Sequence, residues 1–158
     1  MRQKIDYLLE RLLIILMSIL VLDVLWQVCS RYLLNSPSSF TDEMAGFLLI
    51  WVGLMGAAYV SGKNEHLAID FFAKKLSEKR QRIIQYGIQI AIIFFAISTL
   101  IIGGSWLVYT RFYLSVKSSS LSIPLGFVYL VLPISGLLIL YYATSDILRL
   151  KNNSHSNK

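Results

Sequence analysis

Three polar side chains recur at spacing four near the end of the first apolar stretch: Asp23, Gln27 and Arg31. Residues four apart lie on one face of a helix, so these three form a stripe, called the polar seam below. Lipid tails cannot satisfy such groups, and an acidic residue within a membrane helix is a candidate proton or cation site. A hydrogen-bonded packing contact accounts for the same pattern. Either way, the sequence predicts that the seam faces protein or water.

The composition predicts a membrane protein. The chain has 158 residues, of which 56% are hydrophobic, and a mean hydropathy of +0.62. The net charge of +6 is explained by membrane topology, because basic residues collect on the cytoplasmic side, so nucleic-acid binding is not needed to account for it. The single cysteine, Cys29, excludes an intramolecular disulfide framework and a multi-cysteine metal site.

Long apolar runs predict an all-α membrane domain over residues 1–148, followed by a disordered tail at 149–158. The four expected spans are approximately 8–33, 41–62, 82–111 and 124–148. The third contains 28 uncharged residues, about 42 Å as a helix, so it must tilt, kink near Gly103-Gly104 or project from the bilayer. Pro124 is expected to begin the fourth span, and Pro133 to bend it.

Between spans two and three, the sequence predicts a short amphipathic helix at about 66–76. Its apolar residues share one face and lysines lie beside it, the pattern of a helix in the membrane interface with its lysines toward anionic lipid headgroups. His66 and Asp70 are four apart, and a structural pair is the preferred interpretation. The residues assigned to this interfacial helix are His66, Asp70, Phe72, Lys74 and Lys75.

Charge placement predicts the orientation. Twelve of the 15 Lys and Arg residues fall on the side that carries both termini and the segment 63–82, and three fall on the other. Both termini are therefore expected to be cytoplasmic. So strong a bias argues against a dual-topology protein that inserts either way.

The short loop after Tyr32 makes spans one and two an antiparallel hairpin, which sets Arg31 at the same depth as Asp42 and Glu43. These groups are expected to form an ion pair that closes the hairpin, with contact to another subunit as the alternative. Span two also carries small residues at which another helix could approach closely, although glycine is common in membrane helices in any case. These are Gly46, Gly53, Gly56 and Ala57.

No catalytic constellation is found in the sequence. His66 and His155 are the two histidines, and no phosphate-binding glycine loop is present. The chain is predicted not to be an enzyme and to hold no cofactor or metal of its own. A small proton-coupled four-helix exporter that uses Asp23 is a competing hypothesis, against which stand the charge bias, the interfacial helix and the greater length.

Several motifs together resemble one family. In chain order they are WQVCSRY at 26–32, PSSFTDE at 37–43, LIWVG at 49–53 with GAA at 56–58, HLAID at 66–70 and IPLGFVYLVLP at 123–133. Their order and spacing resemble the small membrane subunit, or DctQ-like subunit, of tripartite ATP-independent periplasmic (TRAP) transporters. Phe40 stands where the family often has Trp, and LGF at 125–127 replaces a more aromatic stretch.

The resemblance implies a heterodimer in the bacterial inner membrane. Its partner would be a large, DctM-like membrane subunit that moves the substrate by an elevator motion and uses a sodium gradient. A periplasmic binding protein would deliver the substrate, a carboxylate solute such as sialic acid or a C4-dicarboxylate. The small subunit would be a scaffold, and its exterior loops, 34–41 and 111–123, would be candidates for touching the binding protein.

The orientation yields the first testable prediction. If the basic segment is cytoplasmic, a Ser77→Cys variant should resist a membrane-impermeant thiol reagent in intact cells and react once the cells are lysed. Ready labelling of intact cells would overturn the topology.

Overall fold

The computed structural model describes residues 2–34, 38–63 and 78–155, and these are almost wholly helical. The helices are α1 (Arg2–Tyr32), α2 (Ser39–Lys63), α3 (Glu78–Phe95), α4 (Gly104–Tyr113), α5 (Leu125–Tyr129) and α6 (Val131–His155). A π-helical segment, Ala96–Gly103, joins α3 to α4. The interfacial helix predicted at 66–76, with His66, Asp70, Phe72, Lys74 and Lys75, lies outside the described residues.

Four helical stretches are long and apolar enough to cross a membrane, which confirms the fold class. They run Arg2–Tyr32, Ser39–Lys63, Ile83–Tyr113 and Leu125–Leu148. The first helix begins at Arg2, ahead of the residue 8 expected from hydropathy. The last continues to His155, so residues 149–155 are helical and the prediction of a tail disordered from 149 is corrected. No Gly or Pro follows Leu148 that would stop the helix.

The bundle has two ends with different polar contacts. At one, Arg2 of α1 meets Gly62 of α2 and Asp146 of α6, and this is called the terminal end. At the other, Glu43 of α2 meets the connection between α4 and α5, and this is called the loop end. Along its length α1 packs against α2, whereas α6 packs against α2, α3 and the π-helical segment. The last helix is therefore the centre of the bundle and α1 lies at its edge.

Two apolar clusters form the core. One contains Leu9, Met55, Val131 and Tyr142. The other contains Ala58, Ala96, Leu100 and Ile139. Because the core is confined to the surfaces facing α6, most of the apolar residues in α1 are exposed on the outside of the bundle. A surface of this composition suits lipid or another membrane subunit.

The long third span changes its helical winding in its middle. Gly104 follows the π-helical segment, and a Cβ added to it would lie 2.7 Å from the Cβ of Leu132 in α6. A Cβ added to Gly136 of α6 would lie 2.8 Å from the Cβ of Leu100 in the π-helical segment. These glycines are two of the points where the third and fourth spans approach closely. The Gly103-Gly104 pair, which was expected to permit a kink, thus includes a close-packing position.

The fourth span is interrupted at Leu130, between α5 and α6. Pro133 explains the position of the break. Its ring has no N–H to donate and clashes with the carbonyl of the residue four earlier, and that residue, Tyr129, is the last of α5. Pro124 precedes α5 as its N-cap residue, with φ −59° and ψ 121°. Both prolines therefore lie where the helix begins or is interrupted.

Gly62 yields a stability prediction. A Cβ at this position would lie 2.7 Å from the ring of Tyr142, which is fully buried and cannot move aside. Gly62→Ala should therefore destabilise the chain by about 1 to 3 kcal/mol through overpacking.

The matched control is Gly53→Ala in the same helix. Nothing lies within 4 Å of its added methyl, so this change should stabilise the isolated chain by up to about 1 kcal/mol through helix propensity. Thermal unfolding in detergent measures both variants, and equal midpoints would contradict the packing of Gly62 on Tyr142.

Candidate functional site

The deep end of the polar seam is a buried carboxylic side chain. Asp23 is 6% exposed, and its Oδ2 is inaccessible and has no hydrogen-bond partner in the described part of the chain. The helix packed against α1 offers no charge at this depth, because residues 44–62 of α2 are all uncharged. Asp23 is therefore enclosed within the protein, beside a helix that carries no charge over residues 44–62.

The middle of the seam joins α1 to α2. Gln27 Nε2 donates a hydrogen bond of 2.5 Å to Oδ1 of Asp42. This contact fixes the register of the hairpin, since Asp23 then lies one turn farther from the loop end than the bonded pair. Beside it is a small polar cavity of about 230 Å³, lined by Gln27, Arg31, Ser38, Ser39 and Asp42.

The expected ion pair between Arg31 and Asp42 or Glu43 is not formed. Among residues 2–34, 38–63 and 78–155, the salt bridge that the structure contains joins Arg2 to Asp146. Arg31 is exposed at the cavity rim, Asp42 accepts from Gln27, and Glu43 is bound elsewhere. Asp42 and Glu43 instead accept hydrogen bonds from α1 and from the connection between α4 and α5.

Glu43 is held by the connection between α4 and α5. Its carboxylate accepts hydrogen bonds from Ser118 Oγ (2.8 Å) and from the backbone N–H groups of Ser119 (3.0 Å), Ser120 (2.8 Å) and Leu121 (3.0 Å). We call this arrangement the Glu43 cradle. Hydrogen bonds to an ionised carboxylate are shorter and stronger than neutral ones, so one side chain of α2 orders a loop about 75 residues away in sequence.

The local backbone explains how that loop can present three consecutive N–H groups. Ser115 and Ser122 have left-handed backbone angles, with φ of 48° and 54°. The chain between them turns back on itself, and Lys117 and Pro124 form an isolated antiparallel bridge. Turns of this kind direct successive N–H groups into one concavity, which suits an anionic group.

A second polar cluster, at the terminal end, was not predicted from the sequence. Arg2 donates to the backbone oxygen of Gly62 and, at 2.6 Å, to Oδ1 of Asp146. Its guanidinium also lies 5.4 Å from the ring centre of Tyr142, whose hydroxyl donates to Oδ1 of Asp6 at 2.5 Å. We call these five residues the Arg2 cluster. They join α1, α2 and α6 at one point.

A signal for this cluster does exist in the sequence. Asp146 is the one carboxylate within the last predicted span, and burial of an ionised carboxylate is costly without a cationic partner. Arg2 and Asp6 are four apart on one face of α1, so both can point toward the same neighbour. The partner itself could not be identified, because Arg2 and Asp146 are 144 positions apart.

The predicted small-residue positions do not serve packing within the chain. A Cβ added to Gly46, Gly53 or Gly56 would have nothing within 4 Å outside its own helix, and Ala57 is exposed. The three glycines instead leave an open face on α2. Among residues the structure describes, no group of three or more His, Cys, Asp or Glu side chains could hold a metal ion.

Fold and site together define a small polytopic membrane protein whose polar side chains mainly connect its own helices. The sequence matches the family described as "Tripartite ATP-independent periplasmic transporters, DctQ component" over residues 20–152. The chain belongs to this family, the small permease subunits of TRAP transporters, and it is a multi-pass protein of the bacterial inner membrane.

Individual relatives agree with the family. The chain is 29% identical over 149 residues to the sialic acid TRAP transporter small permease protein SiaQ of Vibrio cholerae, covering 83% of this chain and 79% of that one. It is 29% identical over 133 residues to a putative TRAP transporter small permease protein of Haemophilus influenzae, covering 83% and 80%. A third match, to the sialic acid TRAP transporter permease protein SiaT of Haemophilus influenzae, is 30% identical over 66 residues, which are 42% of this chain and 11% of SiaT.

The Glu43 cradle yields a prediction that hydrogen exchange can test. Glu43→Gln removes the charge and places an amide N–H₂ group against backbone donors, so the loop should open more often. We expect the amides of Ser119, Ser120 and Leu121 to exchange about tenfold faster, since each donates to the carboxylate.

Asp42→Asn is the matched control, because it removes the neighbouring charge without touching the loop. Exchange at the three amides should then remain at the wild-type rate. Faster exchange in both variants, or in neither, would contradict the assigned role of Glu43.

Proposed function

We propose that the chain is the non-catalytic small membrane subunit of a sodium-driven TRAP transporter, in which it scaffolds a large, DctM-like subunit that moves by an elevator mechanism. The observation that carries this proposal is the open face of α2. Gly46, Gly53 and Gly56 have no neighbouring atoms there, although small residues in membrane helices suit close approach of another helix. A face of this kind is available to a second membrane subunit.

The match to SiaT supports the same partnership. The matched segment is 11% of a protein named as a permease, so a segment similar to this chain is a minor part of a larger transporter protein. We infer that this chain likewise works beside a larger permease. The partner would supply the moving parts and use the sodium gradient, while this chain would hold no cofactor of its own.

We propose that the terminal end is cytoplasmic, as the charge bias predicts. The Glu43 cradle then lies on the periplasmic side, where its ordered loop is available to the substrate-binding protein. The substrate is proposed to be a carboxylate solute, sialic acid or a C4-dicarboxylate. Sialic acid has the additional support that two of the three relatives, SiaQ of Vibrio cholerae and SiaT of Haemophilus influenzae, are named as permease proteins of sialic acid TRAP transporters.

One observation favours the competing exporter hypothesis. The Oδ2 of Asp23 is buried without a partner in the described residues, and an unsatisfied intramembrane carboxyl could bind a transported proton. The scaffold hypothesis instead treats Asp23 as part of the contact between α1 and α2. The two hypotheses differ in whether this chain transports anything without a partner.

Reconstitution separates them. We expect proteoliposomes with this chain alone to show no uptake and no proton-driven efflux. Adding the large subunit and the binding protein should produce sodium-dependent uptake of the cognate acid. Asp23→Asn should retain most of that uptake, because the amide is nearly isosteric and keeps a hydrogen-bond acceptor. Proton-coupled transport by the chain alone, abolished by Asp23→Asn, would refute the scaffold hypothesis.

A further inference from the structure

A concave apolar surface lies between α2, α3 and α6, and we call it the lateral groove. Its volume is about 550 Å³, and it is lined by Ala57 and Val60 of α2, Ile88, Ala91 and Phe95 of α3, and Ile139 of α6. All of these residues belong to the spanning stretches. No side chain of the described residues fills the groove, so its occupant in the membrane comes from outside that part of the chain.

The polarity of the groove changes along its length. Its deep part is apolar, whereas near the end of α2 the hydroxyl of Ser61 lines it without a hydrogen bond in the described structure. Ser61 lies two residues before Lys63, the last residue of α2. A hydroxyl at this depth is about level with the ester groups of a membrane lipid, where it has an acceptor to bind.

Positive charge follows along α3. Its first turn carries Arg80, whose side chain is exposed. Arg80 lies two turns before Ile88, about 12 Å along the helix. A cation, a hydroxyl and an apolar groove therefore follow one another from the start of α3 inward.

This order is complementary to a phospholipid with an anionic headgroup, and we propose that the lateral groove is a specific binding site for such a lipid. One acyl chain occupies the groove, an ester oxygen accepts from Ser61, and the phosphate lies against the guanidinium of Arg80. A transmembrane helix of a partner would fill the apolar part but would not use the hydroxyl and the cation in this sequence. The inference rests on the membrane fold and not on the transport proposal.

Native mass spectrometry of the full chain, coexpressed and purified with the large subunit in mild detergent, tests the proposal. If the two chains do not copurify, the same measurement is made on the full chain alone. After delipidation, phosphatidylglycerol or phosphatidylcholine is added back. We expect one tightly retained phosphatidylglycerol and no such retention of phosphatidylcholine. Equal retention of the two lipids would refute an anionic site.

Three variants locate the site. Ala91→Trp fills the groove and should abolish the retained lipid, whereas Ile90→Trp adds the same bulk at an exposed neighbouring position and should leave it bound. Arg80→Gln should weaken the binding of phosphatidylglycerol by about fivefold, the equivalent of about 1 kcal/mol for one basic residue near a membrane surface. The binding of phosphatidylcholine should be unchanged. Equal effects of the two tryptophans would show that the lipid is bound elsewhere on the surface.

A crosslinking measurement covers the case in which Ala91→Trp fails to fold. A photoreactive benzoylphenylalanine at position 91 should capture phospholipid, detected as the mass added to this chain. Capture of the large subunit instead would overturn the proposal, because the groove would then be a contact between subunits.

Discussion

The bundle depends on a single arginine beside its N-terminus. Arg2 binds a backbone oxygen of α2 and the carboxylate of α6, and α1 has no comparable backbone packing with α6 to replace this contact. The carbonyl of Gly62 belongs to the last turn of α2, where intrahelical donors are absent, so the guanidinium satisfies a group that the helix cannot satisfy itself. Asp146 is buried and would be costly without a cation. One side chain therefore meets two separate requirements of the low-dielectric interior.

The central charged group differs between the two ends of the molecule. At the terminal end a cation is surrounded by carboxylates, a carbonyl and an aromatic ring, and it connects three helices. At the loop end an anion, Glu43, is surrounded by donors from one loop, and it connects that loop to a single helix. Gln27 of the polar seam donates to Asp42, the residue that precedes Glu43 in sequence. Polar groups in this protein thus act mainly as links between segments, which agrees with a subunit whose surface is left for partners and lipid.

The spans and their interruption could be predicted from sequence, because hydropathy and the covalent structure of proline act locally. Pro133 determines where the last span breaks whatever surrounds it. The partners of charged groups could not be predicted in this way. The sequence pairs Glu43 with Arg31 of the same hairpin, yet the donors that bind Glu43 come from residues 118–121 and no local pattern identifies them. The same reason applies to Arg2, and to Gly62, whose close neighbour Tyr142 is brought by a distant helix.

Trp51 extends the influence of α2 on the loop end. Its indole Nε1 donates at 3.1 Å to the backbone oxygen of Val128, next to the interruption of the fourth span. Trp51 lies two turns from Glu43, so α2 is hydrogen-bonded both to the loop and to the short helix α5 that follows it. These two attachments hold the segment from Ser118 to Val128 to α2 at both of its ends. A displacement of that segment away from α2 therefore requires these hydrogen bonds to break, whereas a displacement that keeps them must move α2 as well.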